Sequence, residues 1–403
     1  MKNIKKEGLT KYKFDSLFSR ITTKNENNNK NILTISAQYG LINQEVYFNK
    51  VVASKDLSGY YYLEKGDFAY NKSYSKDYPM GAVKRLSKYD SGIVSPLYIC
   101  FRLKREDVCP EYMEQYFESG ILNKELYRIA QEGARNHGLL NISVTEFFKD
   151  INIYLPSFKT QQKVSNILAK CDLVIEKQQE ILEEKKKYYQ GLIQRLLSGE
   201  VRFNKDNGQS FPEWRKVKLG EYLIKHNEKS EFNNQYPVLT SSRKGIFLQS
   251  DYYAGNDVAS DDTTGYNVVP RGYFTYRHMS DDLVFKFNIN DIVDKGIVST
   301  LYPVFTVKGI DSYFLKVKLN EGDEFKKFAL TQKQGGSRTY MYFSKLESLQ
   351  MNIPSLEEQE KISEVLKLAD KEIELLQKEL EALKLQKKGL MQRLLTGEVR
   401  VKV

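Results

Sequence analysis

Between residues 164 and 196, apolar or aromatic side chains recur at alternating steps of four and three. The positions are Val164, Leu168, Cys171, Ile175, Gln178, Leu182, Lys185, Tyr189, Leu192 and Leu196, and only Gln178 and Lys185 are polar. The same steps return at Ile362, Leu366, Ala369, Ile373, Leu376, Leu380, Leu383, Lys387, Leu390 and Leu394, where only Lys387 is polar. A stripe of this period is the seam of a coiled coil. Pro354, with Ser355 and Glu358 spaced as a capping box, predicts the start of the second helix, and Gly199 and Gly397 predict the stops. Each helix is expected to run about 40 residues, roughly 60 Å. The polar seam residues Gln178, Lys185 and Lys387 fit register devices better than partner contacts.

The remaining chain has a different rhythm. Short runs rich in Tyr, Phe, Val and Ile, such as Asn31–Ile35 and Gly296–Ser299, are broken by Gly, Asn, Asp and Ser, which predicts strands and hairpins. One helical piece is expected from Pro110 to Gln131, where Tyr112, Tyr116, Phe117, Ile121, Leu122, Leu126 and Ile129 keep a helical spacing.

Residues 153–203 realign with 351–401 without a gap, with 23 identities in 51 pairs, too many for chance. The agreement is sharpest in GLIQRLLSGEVR (Gly191–Arg202) against GLMQRLLTGEVR (Gly389–Arg400). The preceding segments correspond more loosely: Gly66-Asp67-Phe68-Ala69-Tyr70 answers to Gly272-Tyr273-Phe274-Thr275-Tyr276, and Gly92–Ser95 with Phe101 to Gly296–Ser299 with Phe305. The order is therefore A-B-A′-B′, a variable module alternating with a constant one. The expected segments are 1–152, 153–203, 204–350 and 351–403. If the first helix carries the chain from one module to the other, the second returns it, so an antiparallel pair is the economical arrangement. The expected fold class is α+β: two mixed α/β modules separated by two long antiparallel coiled-coil helices, related by a pseudo-two-fold repeat.

At 403 residues the chain is long enough for two or three cores. A net charge of +10 admits polyanionic partners. Three scattered cysteines and three distant histidines argue against a disulfide framework and against zinc. No apolar run approaches a membrane span and the amino terminus lacks a signal-peptide core, so a cytoplasmic protein without membrane partners is expected.

Charge becomes informative locally. Phe68–Lys88 carries Lys72, Lys76, Lys84, Arg85 and Lys88 against Asp77 alone, interleaved with Tyr70, Tyr74 and Tyr78. The second module has comparable windows at Ser241-Ser242-Arg243-Lys244 and at Lys333 to Tyr340, and Arg135-Asn136-His137 holds the place of the latter in the first module. Such side chains suit phosphates and groove edges. The candidate nucleic-acid contacts are Lys72, Ser73, Tyr74, Lys76, Lys84, Arg85, Arg135, Asn136, Ser241, Ser242, Arg243, Lys244, Arg277, Lys333, Gln334, Arg338 and Tyr340. The candidate helix-pair contacts are Leu168, Ile175, Leu182, Leu192, Leu366, Ile373, Leu380 and Leu390.

Chemistry-bearing motifs are missing. There is no Pro-Pro for an Asx-Pro-Pro-aromatic loop, no GxG turn, no GK[ST], no HExxH and no GxSxG. Asp261-Asp262 and Asp281-Asp282 are expected as exposed turn residues, no catalytic or metal-binding residue is assigned, and no cofactor is expected in this chain.

The A-B-A′-B′ order, the Pro-Ser pairs at 156 and 354, Gln161 and Glu358-Gln359 at the helix starts, and the two QRLL[ST]GEVR ends together resemble the specificity subunit of type I restriction-modification enzymes. Val238–Ile246 and Asn71–Ser75 with Gly81–Leu86 also look like that family. The first module lacks a counterpart of Trp214, and its start is expected around Tyr12 to Phe18. The resemblance implies two target recognition domains, each reading half of a split double-stranded DNA site, and paired helices that set the gap and dock two methyltransferase subunits. Those partners would use S-adenosylmethionine, and restriction subunits would use ATP and Mg, while this chain stays non-catalytic. The alternatives open at this point are a coiled-coil scaffold that binds no DNA and a nuclease with an unrecognised carboxylate site.

Overall fold

A computed structural model describes residues 8–36, 39–50, 53–54, 56–75, 77–131, 140–253, 261–333 and 338–402. The chain divides into two compact units, Met1–Glu180 with Lys378–Val403, and Ile181–Gln377.

In the first unit a four-stranded antiparallel sheet runs in the order Phe18–Arg20, Ile99–Leu103, Phe68–Asn71, Ala82–Arg85. Two-stranded pieces surround it: the hairpin Leu33–Ser36 with Gly40–Asn43, the pair Tyr61–Glu64 with Ser91–Val94, and Thr10–Lys13 with Asn152–Leu155. Among the described residues, that last pair brings Thr10 into the sheet structure, ahead of the expected Tyr12 to Phe18. Alternating strand residues send Phe68 and Phe101 to the same face, where their rings stack at 5.5 Å amid Phe14, Phe18, Phe117 and Phe147.

The second unit repeats the plan. Its sheet runs Leu223–His226, Val304–Val307, Phe274–Thr275, Asn288–Ile289, beside the hairpin Leu239–Ser242 with Gly245–Leu248 and the pairs Asn267–Pro270 with Lys295–Val298 and Arg215–Lys218 with Gln350–Ile353. Phe274 and Phe305, matched by sequence to Phe68 and Phe101, stack at 4.7 Å. Gly92 and Gly296 occupy the same tight spot: a Cβ on either would lie 2.4 Å from Leu33 or Leu239 respectively. The pair Met279–Ser280 with Thr339–Tyr340 is also formed in the second unit.

The helix expected over Pro110–Gln131 is two helices, Pro110–Glu118 and Asn123–Ile129. Gly120, at φ 74°, turns the chain between them in a conformation that only glycine adopts without strain. Ser312–Glu321 and Asp323–Thr331, separated by Gly322, form the matching pair.

The long helices span Phe158–Ser198, 41 residues, and Leu356–Leu395, 40 residues, as the heptads predict. Within each unit their segments run antiparallel. In the first unit Gln178 donates to Glu379 at 2.8 Å and Lys387 pairs with Asp172 at 2.5 Å. In the second, Lys185 pairs with Glu372 at 2.7 Å and the Tyr189 hydroxyl donates to the Leu366 carbonyl at 3.4 Å. Every polar seam residue thus finds a cross-helix partner, as register devices do. Leu168, Leu182, Leu366 and Leu380 are buried, and Ile175, Leu192, Ile373 and Leu390 half-buried. Full burial of one such side chain contributes about 2 kcal/mol.

The capping box expected from Ser355 and Glu358 does not form. The Ser355 hydroxyl is buried without a hydrogen-bond partner, and the fully buried Glu358 carboxylate is taken by Arg202 at 3.1 and 3.0 Å. In the first helix Ser157 does cap, accepting from the Thr160 amide at 3.4 Å. Glutamine makes the join between helix and module in both copies. Gln161 Oε1 accepts from the Cys109 amide at 2.9 Å and its Nε2 donates to the Pro156 carbonyl at 2.9 Å. Gln359 does the same with the Asp311 amide and the Pro354 carbonyl, both at 2.9 Å.

Candidate nucleic-acid interface

In the second unit the hairpin leaves Arg243 and Lys244 as its two-residue tip. Its two serines hold that tip in place. Ser241 is buried, donates to the Thr275 carbonyl at 3.3 Å and accepts from Asn288 Nδ2 at 2.8 Å, while Ser242 accepts from the Lys244 amide at 3.1 Å. The Ser241 hydroxyl is turned inward to the sheet and the Ser242 hydroxyl closes the tip on itself.

Arg243 projects from the tip and meets Asp282 end-on, Nη1 and Nη2 donating at 2.9 and 2.6 Å. The next acid back, Asp281, accepts from Nε of Arg338 at 3.0 Å. Asp281 and Asp282 are exposed as expected, yet each holds one candidate arginine, which charge counting along the chain does not reveal. Asp282 also accepts from the Ser280 hydroxyl at 2.9 Å. The Arg243 fork and this hydroxyl together hold its carboxyl down to about 2. Leu283 follows at φ 65°, a left-handed backbone that a leucine adopts only at a cost.

Arg277, Lys244 and Lys333 are exposed and have no acidic partner among the described residues. Arg243, Arg277 and Asp281 line a cavity of about 240 Å³ with Tyr252, Tyr253 and Tyr302, three aromatics that sequence reasoning missed. Their signal in the sequence was only a tyrosine pair after the hairpin. Beside it, Tyr340 stacks on Tyr342 at 5.6 Å and His278 on Tyr342 at 5.3 Å. Cations, aromatic rings and hydrogen-bonding side chains lining one concavity suit the phosphates and base edges of a nucleic acid.

In the first unit the candidates are less concentrated. Ser73 and Tyr74 are exposed and Lys72 half-buried on the segment that leaves the sheet after Asn71. The Lys72 carbonyl accepts from the Leu140 amide at 2.9 Å, just as the His278 carbonyl accepts from Met341 at 2.7 Å, so the two segments hold equivalent places. Lys84 and Arg85 are turned onto the helix Pro110–Glu118 instead of outward. Lys84 pairs with Glu118, and Arg85 with Glu111 at 2.8 Å and Glu114 at 3.7 Å, their side chains only 11% and 18% exposed. Both therefore differ from the expected free cations, because three glutamates more than twenty residues away claim them. Lys76, Arg135, Asn136 and Gln334 lie outside the described residues.

No group of three His, Cys, Asp or Glu side chains forms a metal site among the described residues, and no helix there is long and apolar enough to cross a membrane.

Residues 213–385 match the family described as type I restriction modification DNA specificity domain. A type I restriction enzyme MjaVIII specificity subunit from Methanocaldococcus jannaschii is 30% identical over 287 residues, which is 64% of this chain and 64% of that protein's own length. Over these stretches the chain is similar to type I specificity subunits, and it spans just under two thirds of that relative's length. A second relative of these specificity subunits, the putative MjaX specificity subunit of the same organism, is 27% identical over 337 residues, 75% of this chain and 71% of its own. The chain is also similar to a solved chain from work on complex assembly and conformational transition of the type I R-M system. There the TM-score is 0.55 at 14% identity, covering 99% of this chain and 100% of that one, a likeness of fold.

Proposed function

We propose that this chain is the non-catalytic DNA-reading subunit of a type I restriction-modification complex, with target recognition domains over 1–152 and 204–350 and conserved helical regions over 153–203 and 351–403. Each recognition domain reads one half of a bipartite double-stranded site. The observation that carries this reading is the repetition of one scaffold with different exposed residues: the stacked Phe68–Phe101 and Phe274–Phe305 pairs support segments bearing Lys72 and Tyr74 in one unit, Arg277 and the Arg243 hairpin in the other. A fixed scaffold with changed reading residues suits two unlike half-sites, and a spacer of helices makes the gap a geometric constraint of about 34 Å per DNA turn.

The helices also serve as a docking platform for two methyltransferase subunits. Ile181, Tyr188, Leu368 and Leu375 stay 45%, 70%, 66% and 54% exposed on them in the second unit, apolar area that the seam leaves uncovered. Those subunits flip and N6-methylate an adenine using S-adenosylmethionine, and restriction subunits supply the ATP- and Mg-dependent steps, in the cytoplasm. The test is methylation profiling of DNA from cells that express this chain with its methyltransferase subunits. A single bipartite methylated motif is expected. Methylation unaffected by deleting this chain, with no DNA affinity of the assembled complex, would leave a scaffold role instead.

A further inference from the structure

Two arginines in the second unit are held by two consecutive aspartates from one turn, and the two pairings leave complementary faces open. Asp282 occupies the end-on face of Arg243, through Nη1 and Nη2. The Nε–H and the Nη2 proton beside it, the side-on fork, stay available. Asp281 instead takes Nε of Arg338 at 3.0 Å, which leaves that guanidinium its end-on fork. Either fork matches the O6 and N7 acceptors on the major-groove edge of guanine.

An exposed arginine has many rotamers, and fixing one before DNA arrives removes part of the ordering cost of recognition. The turn is built to do that. Asp282 is tied down by the Ser280 hydroxyl at 2.9 Å and the Val284 amide at 3.3 Å, so the carboxylate cannot simply follow the arginine. Arg243 itself sits on a two-residue hairpin tip pinned to the sheet through Asn288, which donates to Ser241 Oγ at 2.8 Å and to the Ser242 carbonyl at 2.9 Å. The left-handed Leu283 follows immediately, and among the described residues it is the one positive-φ position that is neither glycine nor asparagine. Strain of that kind persists where surrounding structure imposes it.

We infer that Asp281 and Asp282 are positioning residues for base reading: each holds one arginine so that its free fork is presented to a guanine in the half-site read by the second recognition domain. This rests on the DNA-reading function proposed above. The acids act through the arginines and touch no base. They also place negative charge beside the backbone path, which lowers affinity for DNA that offers no guanine at the right place.

The experiment is selection from a randomised duplex library by the full chain assembled with its methyltransferase subunits, for wild type, Asp282→Asn, Asp281→Asn and Arg243→Lys. Asp282→Asn and Arg243→Lys should relax the same single base pair, with roughly tenfold loss of preference there. Asp281→Asn should relax a different one. Both Asn variants should bind non-cognate duplex more tightly than wild type, a gain that a purely structural role would not produce. Melting temperatures should fall only slightly, since both pairs are exposed and contribute little. A wild-type chain that enriches a motif while the Asn variants enrich the identical motif with unchanged preference at every position would overturn the inference and leave the DNA-reading function standing. Uniform weakening at all positions would overturn it equally. Failure of wild type to enrich any motif would remove the DNA-reading function and this inference with it.

Discussion

The guanidinium of Arg202 grips the carboxylate of Glu358, Nε to Oε1 at 3.1 Å and Nη2 to Oε2 at 3.0 Å, with Glu358 wholly buried. Arg202 closes the first GEVR block and Glu358 stands in the first turn of the second long helix, so one repeat is locked to the other within the second unit. Removing one partner leaves the other charge desolvated. Glu358→Ala is expected to destabilise the second unit by about 3 kcal/mol, and Arg202→Ala with Glu358→Ala by clearly less than the two single losses together. Urea denaturation of the four chains measures this; additive losses would mean that the pair contributes nothing.

Replacing Leu380, 5% exposed on the seam, by Asp puts an unpaired charge among apolar neighbours. A loss of several kcal/mol is predicted, together with loss of methyltransferase-subunit binding. Circular dichroism melts and co-purification check both. A variant that folds normally and still assembles an active complex would contradict the seam.

Gly92 and Gly296 are expected to be irreplaceable in the same way in both units. A Cβ at either meets a leucine of the neighbouring hairpin at 2.4 Å, so Ala should cost about 1–3 kcal/mol through overpacking. If Gly296→Ala melts at the wild-type temperature, the hairpin does not sit against that strand.

Free and engaged cations should behave differently toward salt. Arg277→Ala and Lys72→Ala should each flatten the dependence of log K on log salt by about 0.9 if the side chain meets one phosphate. Lys84→Met should leave that slope unchanged and lower the melting temperature, because its ammonium is already engaged by Glu118. Filter-binding titrations at several salt concentrations distinguish them, and a flattened slope for Lys84→Met would reverse the assignment.

The Arg243–Asp282 pair should persist well into acid. A carboxyl whose value is lowered from the usual 3.8 to about 2 contributes fully above pH 3.8 and loses its contribution as pH falls through about 2. Carbon-detected titration of the Asp282 carboxyl should show a midpoint near that value in wild type and an ordinary one in Arg243→Ala; an ordinary midpoint in both would show the pair unformed in solution.

Periodicity carried much of the fold because it is local. The seam from Val164 to Leu196, the helix lengths and the matched Phe68/Phe274 and Phe101/Phe305 pairs all follow from spacing along the chain. Glu358 was misread as a capping residue for the opposite reason: its partner Arg202 is distant in sequence, and no short-range rule reports it. The engagement of Lys84 and Arg85 was hidden likewise, since Glu111, Glu114 and Glu118 come from a later helix. Asp281 and Asp282 were legible as turn residues but not as arginine holders, because Arg243 comes from the tip of a separate hairpin and Arg338 from a segment far along the chain. Tyr252, Tyr253 and Tyr302 meet at one cavity only once the sheet is formed.

The glutamine at each helix start touches main chain alone: Gln161 grips the amide of Cys109 and the carbonyl of Pro156, Gln359 the amide of Asp311 and the carbonyl of Pro354. A cysteine in one copy and an aspartate in the other serve equally, since the grip ignores the side chain. The joint behaves as a socket of fixed pattern. Any domain whose backbone offers one N–H at that bend plugs into it, so residues elsewhere in the domain can turn over freely without the helix having to change in step.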